Sequence, residues 1–352
     1  MMIHIPCLSI LTHTESENME NSMNQRTKEV TNSKVNNNDF SLNIRVSTLK
    51  RTTHALSKNY DIKKYLTPEK FSFSPDISEL IPKDTPPYLD NGEKYVERIA
   101  RALAFFKQCA LIGPSGTGKT HIVYLVAELA GLPLWEINCG LQTSVFDLFG
   151  RYVGLGKENW IDGLITSWSR HGGILYLDEA NMMKQDIATR LNPILDQRGH
   201  MVLTEKDNEI IQRHKDAFLI ISMNPVSSEF AGTKPINAAM RRRMSVWLNF
   251  DYMSVGPKID EKEIDLLMKK TTGVSRQDAE ILVKVGAELR RQYKTGDLPY
   301  GPSIGDLLNW AMLISDGTTL LDAAEETIIS LTSDDVEIQD MVRKIVRKIA
   351  GI

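Results

Sequence analysis

The chain has 352 residues, 42% hydrophobic and 25% charged, with a formal net charge of −3, which allows two domains with cores and argues against a strongly basic nucleic-acid binder. Its three cysteines (Cys7, Cys109, Cys139) form no Cys-x-x-Cys pair and its seven histidines no metal-ligand spacing, so neither a disulfide framework nor a structural zinc site is suggested. No apolar run approaches the ~20 residues of a membrane helix, Met1 to Leu11 lacks the basic leader of a signal peptide, and a reducing cytoplasm is the expected compartment.

Residues 1–60 are rich in Asn, Ser, Thr and Lys and poor in aromatics, including the run Asn36-Asn37-Asn38-Asp39. They bury too little apolar surface to offset their ordering entropy and are expected to be a disordered tail, with a docking arm as the alternative. Residues 61–92, with Ile81 to Tyr88 broken by prolines, are expected to be an extended lead-in segment.

Residues 93–253 read as an α/β nucleotide-binding core. Val96, Ile99, Leu103 and Phe106 recur at helical spacing, and Cys109 to Ile112 is a short strand. His121 to Ala130 reads as a helix and Leu134 to Asn138 as a strand, with a glycine-broken mixed region over Phe146 to Arg170. Ile174 to Leu177 is a buried strand and Ile187 to Asp196 a helix, and Met201 to Ile211 reads as a hairpin turning near Lys206-Asp207-Asn208. Strands follow at Phe218 to Ser222 and Val246 to Phe250. Apolar strands separated by helices imply a parallel sheet covered on both faces. Residues 254–352 lose the strand signal and read as a small all-helical domain: Glu261 to Lys270, Arg276 to Tyr293, Ile304 to Ser315 and Val336 to Ile349, with starts at Ser275 and Ser333.

Gly113-Pro114-Ser115-Gly116-Thr117-Gly118-Lys119-Thr120 fits G-x-x-x-x-G-K-[ST] between a strand and a helix, the context that marks a phosphate loop. Glycines let backbone N–H groups curl around phosphates, the helix start adds partial positive charge, Lys119 reaches the outer phosphates, and the Thr120 hydroxyl ligates Mg²⁺. The expected ligands are therefore ATP and Mg²⁺. Downstream, the strand ending Asp178-Glu179 puts two carboxylates where open α/β sheets face their ligand. Asp178 is expected to help hold Mg²⁺, and Glu179 to orient and deprotonate the attacking water. Asn224, in Ser222-Met223-Asn224-Pro225, can hydrogen-bond that water or close an Asx turn before Pro225, and the residues alone favour the turn.

This motif set, together with Asn237-Ala238-Ala239-Met240-Arg241-Arg242-Arg243-Met244, resembles the AAA+ ATPases. It looks most like the MoxR-type and dynein-related branch, which includes the CbbQ/NorQ-type and gas-vesicle-N-type proteins. The resemblance runs from about Pro82 to the end of the chain. It implies a five-stranded parallel sheet between helices, a helical lid, a homo-hexameric ring and a sensor role for Asn224. It also implies an arginine finger reaching the neighbouring subunit's site, with Arg243 the better match and Arg242 second. In the lid the family's sensing arginine is replaced by Gly305, leaving Arg290 or Arg291 to substitute or hydrolysis to slow. Tyr152-Val153-Gly154 resembles a pore loop, although burial of Tyr152 and Trp160 against the core is the simpler expectation.

The leading functional expectation is a ring ATPase that remodels or activates a client protein, often beside a partner with a von Willebrand A-like domain. The alternatives are a nucleic-acid-directed McrB-like motor, against which the charge counts, and an ATP-dependent scaffold with little turnover.

Overall fold

The computed structural model describes residues 58–352 apart from 141, 155–158, 197 and 226–234. The expected tail therefore lies almost wholly outside the described residues, as does Gly156. At its end, Lys58 pairs with Glu128 at 2.6 Å and Tyr60 donates to Tyr88 O at 2.8 Å. The lead-in segment is not simply extended. It contains a 3-10 turn over Pro68–Lys70 and a helical turn over Pro75–Ser78, both with proline at the start, where its missing N–H costs nothing.

The elements of the α/β part run α1 (Tyr95–Phe106), β1 (Gln108–Ile112), α2 (Lys119–Ala130), β2 (Leu134–Asn138), α3 (Val145–Phe149), β3 (Gly150–Tyr152), β4 (Trp160–Asp162) and α4 (Leu164–His171). They continue with β5 (Gly173–Asp178), α5 (Gln185–Leu195), β6 (His200–Leu203), β7 (Glu209–Gln212), β8 (Ala217–Met223), α6 (Ala238–Arg243) and β9 (Trp247–Asn249). Five strands form one parallel sheet in the order β2-β5-β8-β1-β9. The central strands are buried almost throughout, which is why they read as continuous apolar runs.

Strand alternation divides the core into two layers. Ile174, Tyr176, Phe218 and Ile220 pack with α1 and α2, while Leu175, Leu177, Leu219 and Ile221 pack with α4 and α5. Two antiparallel hairpins project from this frame, β3–β4 and β6–β7, the second turning through Asp207 and Asn208 at φ +50° and +61°.

The rest is helical: α7 (Glu261–Lys270), α8 (Arg276–Thr295), α9 (Ile304–Ser315), α10 (Leu320–Ala324) and α11 (Val336–Ala350), around a third apolar cluster containing Leu282, Leu289, Trp310 and Val342. The stretch after α10 was not foreseen: it continues through one π-helical turn at Glu325–Ile329 into Ser330–Thr332. The cap of α11 is Asp335, whose carboxylate accepts from the Glu337 N–H at 2.8 Å, two residues beyond the expected Ser333. Among the described residues no helix is long and apolar enough to cross a membrane.

Candidate active site

The loop Gly113 to Gly118 joins β1 to α2. Its backbone enters the left-handed region at Gly116 (φ +72°) and Gly118 (φ +84°), which side chains adopt only under strain. Both positions are also closely approached. A Cβ on Gly116 would lie 2.2 Å from Ser303 Cβ in the helical part, and one on Gly118 2.8 Å from Tyr88 Cε2. Thr117 Oγ1 closes the loop by donating to Pro114 O at 2.9 Å.

A cavity of about 280 Å³ lies against this turn, and Lys119, Thr120, Asp178, Glu179 and Asn224 all line it. Lys119 is only 7% exposed. Its ammonium donates to Gly113 O and Pro114 O at 2.7 Å each and to Asn224 Oδ1 at 3.1 Å. Burial pulls its pKa down to about 8, against the opposing pull of the Asp178 and Glu179 carboxylates.

Asp178 ends β5, and its Oδ2 accepts from Thr120 Oγ1 at 3.1 Å. Its Oδ1 accepts from Ser222 Oγ and from the Glu179 N–H, the latter at 3.0 Å. Glu179 is exposed and adopts φ +52°, a left-handed conformation that costs a non-glycine residue about 1–3 kcal/mol and persists where surrounding structure enforces it. Thr120 and Asp178 are hard oxygen donors of the kind Mg²⁺ takes. Two such ligands suit a cation that completes its shell with water and phosphate oxygens.

A second cavity of about 300 Å³ shares Gly116, Gly118 and His121 with the first. Its walls include Pro87, Tyr88, Tyr252, Leu266, Ile304 and Leu308, an apolar and aromatic lining that suits a nucleotide base. Tyr88 stacks on His121 at 6.3 Å and donates to Thr117 O at 3.2 Å. Tyr252 OH donates to Ser115 O at 3.3 Å and Gly301 O at 3.1 Å, joining the phosphate loop to the helical part. None of these aromatics was singled out from sequence, where they look like ordinary core residues.

Arg241, Arg242 and Arg243 end α6, and none of them lines either cavity. Arg242 is exposed. Arg243 is half-buried, donating from Nη1 to Ala239 O at 2.9 Å and from Nη2 to Asp196 Oδ2 at 3.3 Å. Asp196 also pairs with Arg198, whose guanidinium is the main cause holding that carboxyl below its usual range.

Gly305 occupies the first turn of α9, and a Cβ there would find only Ser303 Oγ nearby, at 3.4 Å. Arg290 is buried and bound to Glu263 at 2.8 Å, Pro302 O at 2.7 Å and Ser254 O at 3.2 Å. Arg291 pairs with Glu288 at 2.6 Å. Trp160 packs on the core, as expected from its size, whereas its T-shaped partner Tyr152 is 36% exposed.

Comparison with known proteins agrees with this geometry. The AAA domain (dynein-related subfamily) matches residues 108–244, and the CbbQ/NirQ/NorQ C-terminal domain matches residues 263–349. The denitrification regulatory protein NirQ of Pseudomonas aeruginosa is 31% identical over 255 residues, covering 72% of this chain and 94% of that protein. The chain belongs to the CbbQ/NirQ/NorQ family of AAA+ ATPases. Protein CbbQ of Hydrogenophilus thermoluteolus is 30% identical over 265 residues, covering 73% of this chain and 95% of its own length. Protein NorQ of Paracoccus denitrificans is 30% identical over 269 residues, covering 76% and 95% respectively. Membership makes the chain a nucleotide-binding enzyme that hydrolyses ATP, and accounts for the five-stranded sheet followed by a helical C-terminal part.

Proposed function

We propose that this ATPase works as a homo-hexameric ring in the cytoplasm and uses hydrolysis to remodel or activate a client protein, beside a partner carrying a von Willebrand A-like domain. The observation that carries the hydrolytic part of the reading is the gathering of Lys119, Thr120, Asp178, Glu179 and Asn224 around one cavity next to a pocket suited to a base. The name of one relative, a denitrification regulatory protein, supports a role exercised on other proteins.

In this reading the backbone of Gly113 to Gly118 and the start of α2 hold the phosphates, and Lys119 turns its ammonium from carbonyl oxygens to the outer phosphate oxygens. Thr120 and Asp178 hold Mg²⁺, which when bound neutralises phosphate charge. Glu179 takes the proton of the attacking water, and Asn224 orients that water for in-line attack on the terminal phosphorus, giving ADP and phosphate. Arg243 of the adjacent subunit completes the charge stabilisation. Its contact with Asp196, at 3.3 Å and partly exposed, is weak enough to be exchanged for phosphate oxygens.

The client side is supported by the paired hairpins. Arg170 bonds Asp162 at the end of β4 at 2.8 Å and Glu209 at the start of β7 at 2.7 Å, so the two projections are tied together. A second reading, an ATP-dependent scaffold with slow turnover, is favoured by Gly305 and by the commitment of Arg290 and Arg291 to carboxylates.

Mixing subunits tests the shared site. Lys119→Ala and Arg243→Ala proteins are each expected to be inactive alone and to regain turnover in mixed rings. Absence of rescue in rings confirmed by light scattering would refute the in-trans assignment. Turnover stimulated by DNA rather than by a protein partner would refute the client reading, and ATP-driven assembly with negligible phosphate release would move the assignment to the scaffold.

A further inference from the structure

Two hydroxyl groups stand where buried parallel strands ordinarily carry hydrocarbon. Tyr176 in β5 and Ser222 in β8 are both fully buried. Tyr176 OH donates to Ser222 Oγ at 3.1 Å, and Ser222 Oγ donates to Asp178 Oδ1. Thr120 Oγ1 donates to Asp178 Oδ2 at 3.1 Å and lies 3.1 Å from Tyr176 OH. The four side chains close a ring that links the phosphate-loop helix to the tips of both strands.

We infer that Tyr176 and Ser222 are positioning residues for Thr120 and Asp178, setting the affinity of the site for Mg²⁺ rather than for the nucleotide itself. The inference rests on the assignment of those two residues as Mg²⁺ ligands. Tyr176, Ser222 and Thr120 supply three hydroxyl protons for four oxygen–oxygen contacts, so one contact always lacks a proton. Once the lone pairs of Thr120 are in use, Tyr176 can give its proton to Ser222. Asp178 then keeps a donor on each oxygen, Ser222 and Glu179 N–H on Oδ1 and Thr120 on Oδ2. Without the Tyr176–Ser222 pair the carboxylate loses the restraint that faces it toward Thr120. Groups that orient a metal ligand from behind set metal affinity in this way.

The test uses the full-length protein and a fluorescent ADP, followed by anisotropy in EDTA and then across a MgCl₂ titration. Tyr176→Phe and Ser222→Ala both preserve shape while removing one oxygen. Each is expected to bind the nucleotide in EDTA within about twofold of the parent and to need roughly tenfold more Mg²⁺ for half of the magnesium-dependent gain. An unchanged Mg²⁺ requirement in either folded variant would overturn the inference while leaving the ATPase site intact. If the parent protein itself gains nothing from Mg²⁺, the assignment of Thr120 and Asp178 fails and the inference goes with it.

Discussion

Two buried cations flank the two cavities, and they are satisfied differently. Lys119 in the core is 7% exposed and donates only to neutral oxygens, two backbone carbonyls and an amide. Arg290 in the helical part is 1% exposed and meets the Glu263 carboxylate at 2.8 Å, with Pro302 O and Ser254 O taking further donors and Tyr252 beneath its plane. A buried ammonium with no carboxylate in hydrogen-bond contact is costly, and burial pulls the Lys119 pKa down although Asp178 and Glu179 lie near enough to oppose the shift. Such a group is poised to gain when an anion arrives. A guanidinium that already has its carboxylate gains little and serves to hold elements together. In the proposed mechanism the core cation is chemical and the lid cation structural.

The comparison breaks most severely if Lys119 is dispensable. Lys119→Ala is expected to weaken ATP affinity by about 100-fold or more, since several charge-assisted bonds to phosphate are lost together. Equilibrium dialysis with labelled ATP measures this, and a loss under tenfold would contradict the contrast. Next in size is Glu179→Gln, expected to lower turnover by about 100-fold while affinity holds, because only the proton acceptor is removed. Phosphate release and nucleotide binding measured on the same preparation separate the two quantities. On the lid side, Arg290→Met leaves Glu263 as an uncompensated buried charge and should lower stability by about 3 kcal/mol. Urea unfolding followed by circular dichroism measures the change. The double variant with Glu263→Met should recover most of the loss, and failure to recover would mean that Arg290 acts through its carbonyl contacts alone.

How much of this was legible in the sequence differs between the same two regions. The phosphate loop, the acid pair and the strands around them are local in the chain, and fully buried strands are recognisable as apolar runs. Tyr176 and Ser222 were invisible as a pair because 46 residues separate them and only strand pairing joins their hydroxyls. In the helical part, the segment from Leu320 to Thr332 escaped because its π-helical turn breaks the 3.6-residue period. A capping signal was nonetheless present there, since Thr319 Oγ1 accepts from the Asp322 N–H at 3.2 Å. The prolines that begin the turns at Pro68 and Pro75 were likewise helix-start signals inside a stretch read as extended. The family motif picked out Arg243 from three adjacent arginines, but not its contact with Asp196, which lies 47 residues away in the chain.

Gly305 offers the smallest and most discriminating test. It sits at the start of α9 beside Ser303, which itself packs against Gly116 of the phosphate loop. Its φ lies outside the left-handed range, and the nearest atom to an added Cβ is a hydroxyl at an ordinary contact distance of 3.4 Å, so a Cβ can be accommodated without strain. Gly305→Arg would supply a guanidinium with no carboxylate already assigned to it, the condition that distinguishes Lys119 from Arg290. A single charge-assisted contact to phosphate in a partly exposed site is worth about 1 kcal/mol, so ATP affinity should rise by no more than about tenfold. Turnover should rise with it if lid charge limits hydrolysis, and stay level if the protein is built to turn over slowly. An unchanged ATP affinity in a variant of unchanged stability would show that α9 does not face the phosphates, and the lid would then owe its place at the site to packing alone.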